Sequence, residues 1–184
     1  SAVLPAYPDL HVELTIDYGL ADIVAQRYDI GIRLGGRVAR DMIAVPISPP
    51  QRMAIVASPG YFATHTAPQV PTDLAAHNCI GLRLPTHGGL MVWDLEKDGE
   101  EVNVRVDGQW TFNGSGAIHR AALAGAGLAY LPEDMVRDDI AAGALRRVME
   151  DWCDPFDGYY AYYPSRRHSS SAMRVVIEAL RAER

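Results

Sequence analysis

Between His11 and Leu34 the spacing of apolar residues changes from two to between three and four and back to two, which restricts the chain to folds that alternate strands with helices. Val12, Leu14 and Ile16 alternate with His11, Glu13 and Thr15, the period of a half-buried strand. Leu20, Ile23, Val24 and Tyr28 then share one helical face, and Ile30, Ile32 and Leu34 alternate again before Gly35-Gly36. Strand, crossover helix and strand in this order predict a βαβ unit with two parallel strands joined right-handedly.

Prolines at 46, 49 and 50 interrupt the pattern before the apolar run Met53–Ala57, a further predicted strand. From Ser58 to Thr72 the chain is rich in Pro, Thr and Ala, which predicts a connection with one short helix around Gly60–Ala63. Cys79–Leu84 reads as a strand, and the runs Val92–Leu95 and Val102–Val106 flank Lys97-Asp98-Gly99-Glu100, a strong signal for an antiparallel hairpin. A strand over Trp110–Asn113 ends on Asn113-Gly114-Ser115-Gly116. There a helix begins whose face is Ile118, Ala121, Ala122 and Gly125, and Gly125-Ala126-Gly127 stops it before the strand Leu128–Leu131. This is a second βαβ-like unit. A short helix over Glu133–Ala142 ends at Gly143, strands follow at Leu145–Met149 and Tyr159–Tyr163, and Ser169–Ser171 cap a last helix carrying Met173, Val176, Ile177 and Leu180 on one face. The fold class is α/β.

The 184 residues, 48% of them hydrophobic, suffice for one ordinary domain or two small lobes around a real core. No apolar run approaches the ~18–20 residues of a membrane span, and Ser1–Leu10 has neither a basic region nor a sustained apolar one, so a cytoplasmic location is expected. Ser1–Pro8 read as the tail of a helix. A net charge of −6 disfavours this chain as a nucleic-acid contact surface, and Arg146-Arg147 and Arg166-Arg167-His168 read as solvated charge. Cys79 reads as a small buried residue and Cys153 lies in a turn-rich segment; a disulfide between them is left open, but no C-x-x-C pattern exists. The six histidines, at 11, 65, 77, 87, 119 and 168, lack ligand spacing, so no metal and no cofactor is expected.

Enzymatic signatures are also missing. Ser115 stands between adjacent glycines and not in G-x-S-x-G, so it reads as a helix cap instead of a nucleophile. Gly125-Ala126-Gly127 ends a helix before a strand, the reverse of a dinucleotide fingerprint. Glu100-Glu101 and Asp138-Asp139 read as exposed pairs. What remains is binding chemistry at two strand-to-helix junctions, Asp17-Tyr18-Gly19 and Asn113-Gly114-Ser115-Gly116, where first-turn N–H groups favour an anion. Arg33-Leu34-Gly35-Gly36 adds a guanidinium suited to a carboxylate and glycines that admit close approach; the sequence leaves open whether Arg33 meets a ligand or pairs with a neighbour such as Glu13.

Three long segments resemble one family in the same order. YPDLHVELTIDYGLADIVAQRYDIGIRLG resembles the start of the effector-binding domain of LysR-type transcriptional regulators; GAIHRAALAGAGLAYLPEDMVRDDIAAGALRRVMEDW and AYYPSRRHSSSAMRVVIEAL are similar to its later and terminal motifs. The resemblance implies two α/β lobes of the type 2 periplasmic-binding-protein kind joined by two crossing strands, with an effector in the interlobe cleft. On that pattern residues 1–57 and 164–184 form the first lobe, 58–73 and 159–163 the crossings, and 74–158 the second lobe. It also implies effector contacts at Tyr18, Arg33, Leu34, Gly35, Asn113, Gly114 and Ser115. The winged helix-turn-helix, the opening strand and most of the first helix of lobe one are expected to precede residue 1. The implied function is sensing of a small anionic metabolite, relayed through a homodimer or homotetramer to DNA-binding domains outside this chain, with no membrane partner. A transporter's solute-binding protein is the alternative, since it shares the fold, and an enzyme is the least favoured reading.

Overall fold

The computed structural model describes residues 3–17, 22–35, 41–85, 88–165 and 170–182. In chain order its first elements are β1 (Gly31–Leu34), β2 (Met42–Pro46), β3 (Met53–Ala57), α1 (Pro59–Phe62), β4 (Gly81–Leu82), β5 (Trp93–Lys97) and β6 (Glu100–Val104). The rest are β7 (Thr111–Phe112), α2 (Ser115–Leu123), β8 (Ala129–Pro132), α3 (Glu133–Ala141), β9 (Arg146–Val148), β10 (Tyr159–Pro164) and α4 (Ser171–Ala182). They divide into two compact units, residues 1–51 with 156–184 and residues 52–155.

In the first unit β10 is the middle of a three-stranded antiparallel sheet, β1-β10-β2. Its Ala161 is fully buried, and α4 buries Met173 and Ile177, two of the four residues predicted to share its apolar face. Ser170 caps α4, its Oγ accepting from Met173 N at 3.1 Å. The opening βαβ prediction is corrected here. No described strand pairs with residues 11–17, where Leu14 and Ile16 are each 83% exposed, and β1 runs antiparallel to β10. Alternation makes a segment fit a sheet, but without a partner ladder its backbone stays with water. The expected helix is a single turn over its described part: Asp22 Oδ1 accepts from Val24 N and Ala25 N, each at 3.0 Å, and Arg27 at φ 61° ends it. Ile23 is nonetheless buried.

The second unit is layered about the antiparallel sheet β8-β3-β9. Strand β3 sends Ile55 and Ala57 to one side, against Trp93 and Leu95 of the hairpin, and Ala54 and Val56 to the other, against Ile118 and Ala122 of α2 and Val136 of α3. A continuous apolar run is what a strand buried on both faces requires. The hairpin forms as predicted, β5 with β6 through the two-residue turn Asp98-Gly99. The second βαβ prediction holds as well: β4 pairs in parallel with β7, and Cys79 bridges in parallel to Leu128, so α2 connects two strands that flank β4.

Two boundaries differ from the sequence reading. Met53–Ala57, assigned to the first lobe, is the central strand of the second unit, and the strap expected to be a crossing buries Tyr61 in that unit's core. Tyr159–Tyr163, expected as the other crossing, is the middle strand of the first unit. The units exchange chain instead at Gln51/Arg52 and Pro155/Phe156. Pro and Thr content marked the strap as irregular; burial of its few large side chains decided where it belongs.

Candidate ligand-binding site

Strand β1 sets Arg33 beside Tyr160 of β10, and the Arg33 guanidinium lies 5.5 Å from the centre of the Tyr162 ring on the same sheet face. A half-buried cation over an aromatic face keeps its charge and its donors available, since the ring quadrupole attracts it without consuming an N–H. No ion pair joins Arg33 to Glu13, the alternative the sequence left open. Leu34 is 41% exposed, and Gly35 follows at φ +75° with its N–H donated to Gly158 O at 3.0 Å. An added Cβ at Gly35 would meet nothing within 4 Å among the described residues. Tyr18, the remaining residue expected in this half of the site, and Gly36 and Arg166–His168 lie outside the described residues.

In the second unit the turn Asn113-Gly114-Ser115 sits at the carboxyl end of β7, alongside the carboxyl end of parallel β4. Open α/β sheets bind ligands at the carboxyl ends of their parallel strands, where helix N-termini point. Gly114, extended at φ −159°, is the N-cap of α2 and no side chain caps the helix; Ser115 is its first residue and is 8% exposed. The expectation that Ser115 is the cap is corrected: a residue already in helical conformation cannot aim its hydroxyl back at the N–H groups two and three residues on. Asn113 is exposed.

Sequence reasoning missed three contributors. Arg83 follows β4 immediately, donates its backbone N–H to Phe112 O at 2.7 Å and so stands next to Asn113, with Nη1 held by Gly88 O at 2.6 Å. Tyr160 and Tyr162 were read only as strand formers; their alternation does place them on one face, but which strand that face adjoins is a matter of pairing. The predicted residues fall into two groups, Arg33–Gly35 in the first unit and Asn113–Ser115 in the second.

Other expected features sort out by packing. Arg147 turns inward to Glu133 and Glu150 and donates Nη2 to Met53 O at 3.2 Å, whereas Arg146 lies 5.2 Å from the Phe62 ring centre, so the pair is not simply solvated. Asp139 of the acidic pair is engaged by His119 Nε2 at 2.7 Å. Cys79 and Cys153 are free thiols, both buried, and burial pushes them up to about 12 and about 11. Among the described residues no cluster of His, Cys, Asp and Glu can hold a metal ion, and no helix is long and apolar enough to cross a membrane.

Residues 1–184 match the family described as the LysR substrate binding domain, and the chain belongs to that family. A Pseudomonas aeruginosa protein assigned to the transcriptional regulators is 54% identical over 182 residues, covering 99% of this chain and 60% of that protein. The HTH-type transcriptional regulator PgrR of Escherichia coli is 44% identical over 178 residues, 97% of this chain and 60% of its own length. Among solved structures, CrgA of Neisseria meningitidis, a LysR-type transcriptional regulator, superposes with a TM-score of 0.84 at 26% identity over 98% of this chain and 60% of that one. The Vibrio cholerae virulence activator AphB gives 0.82 at 26% identity, over 99% of this chain and 61% of that one. The chain thus spans about three fifths of these relatives. The fold is of the type 2 periplasmic-binding-protein class, and the family is that of a regulator domain, not of an enzyme.

Proposed function

We propose that this domain senses a small anionic metabolite, with contacts from Arg33, Leu34 and Gly35 in one lobe, Asn113, Gly114 and Ser115 in the other, and Tyr18 beside the first group. The observation that carries the reading is the start of α2, which has no side-chain cap and lies at the carboxyl ends of β4 and β7 next to Arg83. The positive end of the helix dipole at this N-terminus favours negative charge. Arg33, which has no ion pair among the described residues, supplies a second positive contact from the first unit.

A ligand transmits a signal only when it binds two arrangements of the protein unequally. In this reading the ligand favours one of two arrangements of the domain. The change is relayed within a cytoplasmic homodimer or homotetramer to winged helix-turn-helix domains outside this chain. A thermal-shift screen of carboxylates and aromatic acids identifies the ligand, since one present at ~100 times its dissociation constant stabilises by roughly 2.7 kcal/mol. Calorimetry with that ligand should then show weakened binding by both Arg33→Ala and Ser115→Ala. Unchanged affinity in both variants refutes the site.

A further inference from the structure

Between β3 and β4 the strap from Ser58 to Asn78 brings two histidines and a buried tyrosine together. The Tyr61 hydroxyl lies 3.0 Å from His77 Nδ1 and accepts the Asn78 backbone N–H at 3.1 Å. The His65 ring stacks on the Tyr61 ring, 4.2 Å between centres and 3° from parallel, and its Nδ1 is 3.0 Å from Tyr61 O. The His65 and His77 rings are 6.1 Å apart.

One protonation state satisfies every partner. Asn78 N–H can only donate, and with the Tyr61 hydroxyl hydrogen directed at a bare His77 Nδ1 each of these polar groups has its partner. The remaining nitrogen, Nε2, then carries the proton. A second proton, on Nδ1, reverses that contact: the imidazolium donates to the Tyr61 oxygen, and the phenol hydrogen loses its acceptor inside the buried strap. We propose that His77, Tyr61 and Asn78 form a proton-sensitive latch, closed while His77 is neutral and released when it is protonated, which frees the end of the strap where it enters β4.

Every charged or titratable neighbour can be assigned a direction. Burial disfavours the imidazolium most, a protonated His65 opposes it next, and the Asp73 carboxylate favours it, as does the Thr66 carbonyl. Asp73 is engaged elsewhere, by the amides of Gln69 at 2.8 Å and Val70 at 3.1 Å. The Cys79 thiol beside Tyr61 stays neutral, held up to about 12 by burial and by Asp107. The sum pushes His77 below its ordinary value. The folded-state pKa is thus lower than the unfolded one, so the stabilisation is complete above about pH 6.5 and is lost as pH falls through the folded-state value.

Asn78 connects the latch to the ligand turn. Its Nδ2 donates to Ala126 O at 2.6 Å, its Oδ1 accepts from Gln109 N at 2.8 Å and its carbonyl accepts from Leu128 N at 2.9 Å. Gln109 precedes β7 and Ala126 follows α2, so both ends of the segment carrying Asn113–Ser115 hang on one side chain. An effect on ligand binding rests on the function proposed above; the latch does not.

Long-range proton–nitrogen NMR on the labelled, ligand-free protein from pH 8 to 5 tests it. The expected result is an Nε2–H tautomer at His77 and a midpoint below about 6.5. Tyr61→Phe should raise that midpoint and speed exchange of the Asn78 amide. His77→Asn, whose Oδ1 keeps the Tyr61 bond without titrating, should flatten the acid-side fall in Tm. An Nδ1–H tautomer, or a His77 midpoint at or above about 6.5, overturns the proposal and is read from the unmutated protein, whether or not the variants fold. A midpoint unmoved in a folded Tyr61→Phe protein overturns it as well.

Discussion

Ile118 offers a direct test of how α2 is held. It is 1% exposed, faces Ile80, Leu82, Ala129 and Leu131, and donates its N–H to Gly114 O in the first turn of the helix. Ile118→Ala removes three carbons, a transfer loss of about 2.5 kcal/mol at ~0.8 kcal/mol per carbon. The cavity left in a two-sided core adds to that, so about 3 kcal/mol is expected, within the roughly 2–5 kcal/mol span of such truncations. All three tryptophans, Trp93, Trp110 and Trp152, lie in the second unit, so tryptophan fluorescence during urea unfolding follows that unit specifically. With a slope near ~1.5 kcal/mol per molar urea the midpoint should fall by about 2 M. Ile118→Val should cost about 1 kcal/mol, and Leu123→Ala, at a site 36% exposed on the same helix, should cost less than Ile118→Ala. A loss below about 1 kcal/mol for Ile118→Ala at unchanged slope refutes the packing that positions the ligand turn.

Cys79 and Cys153 should resist thiol reagents in the native protein at pH 8 and react fully in denaturant, because burial holds both protonated; rapid native labelling of either contradicts their placement. Gly127→Ala should destabilise the second unit by about 3 kcal/mol or abolish its folding, since positive φ already carries strain for a side chain. The new Cβ would also lie 2.1 Å from Asn78 O, at φ +154°. A near-wild-type urea midpoint for this variant contradicts the close approach of Gly127 to Asn78.

The sequence by itself determined most local structure of the second unit. The apolar run at Met53–Ala57, the Asp98-Gly99 turn and the glycines after α2 and α3 are local signals, and the structure follows them. The site was half legible in the same way: Asn113–Ser115 could be found because a strand-to-helix junction is written in contiguous residues. Arg83 could not be, because it joins that turn through the β4–β7 pairing across a long stretch of chain. The tertiary structure alone decided that Tyr159–Tyr163 is a sheet's middle strand, that Arg33 rests against Tyr162, and that Asn78 ties Gln109 to Ala126. It also decided against the strand at residues 11–16. A strand's period is local, but its stability lies in hydrogen bonds to another strand, and no pattern within six residues states whether that strand is present.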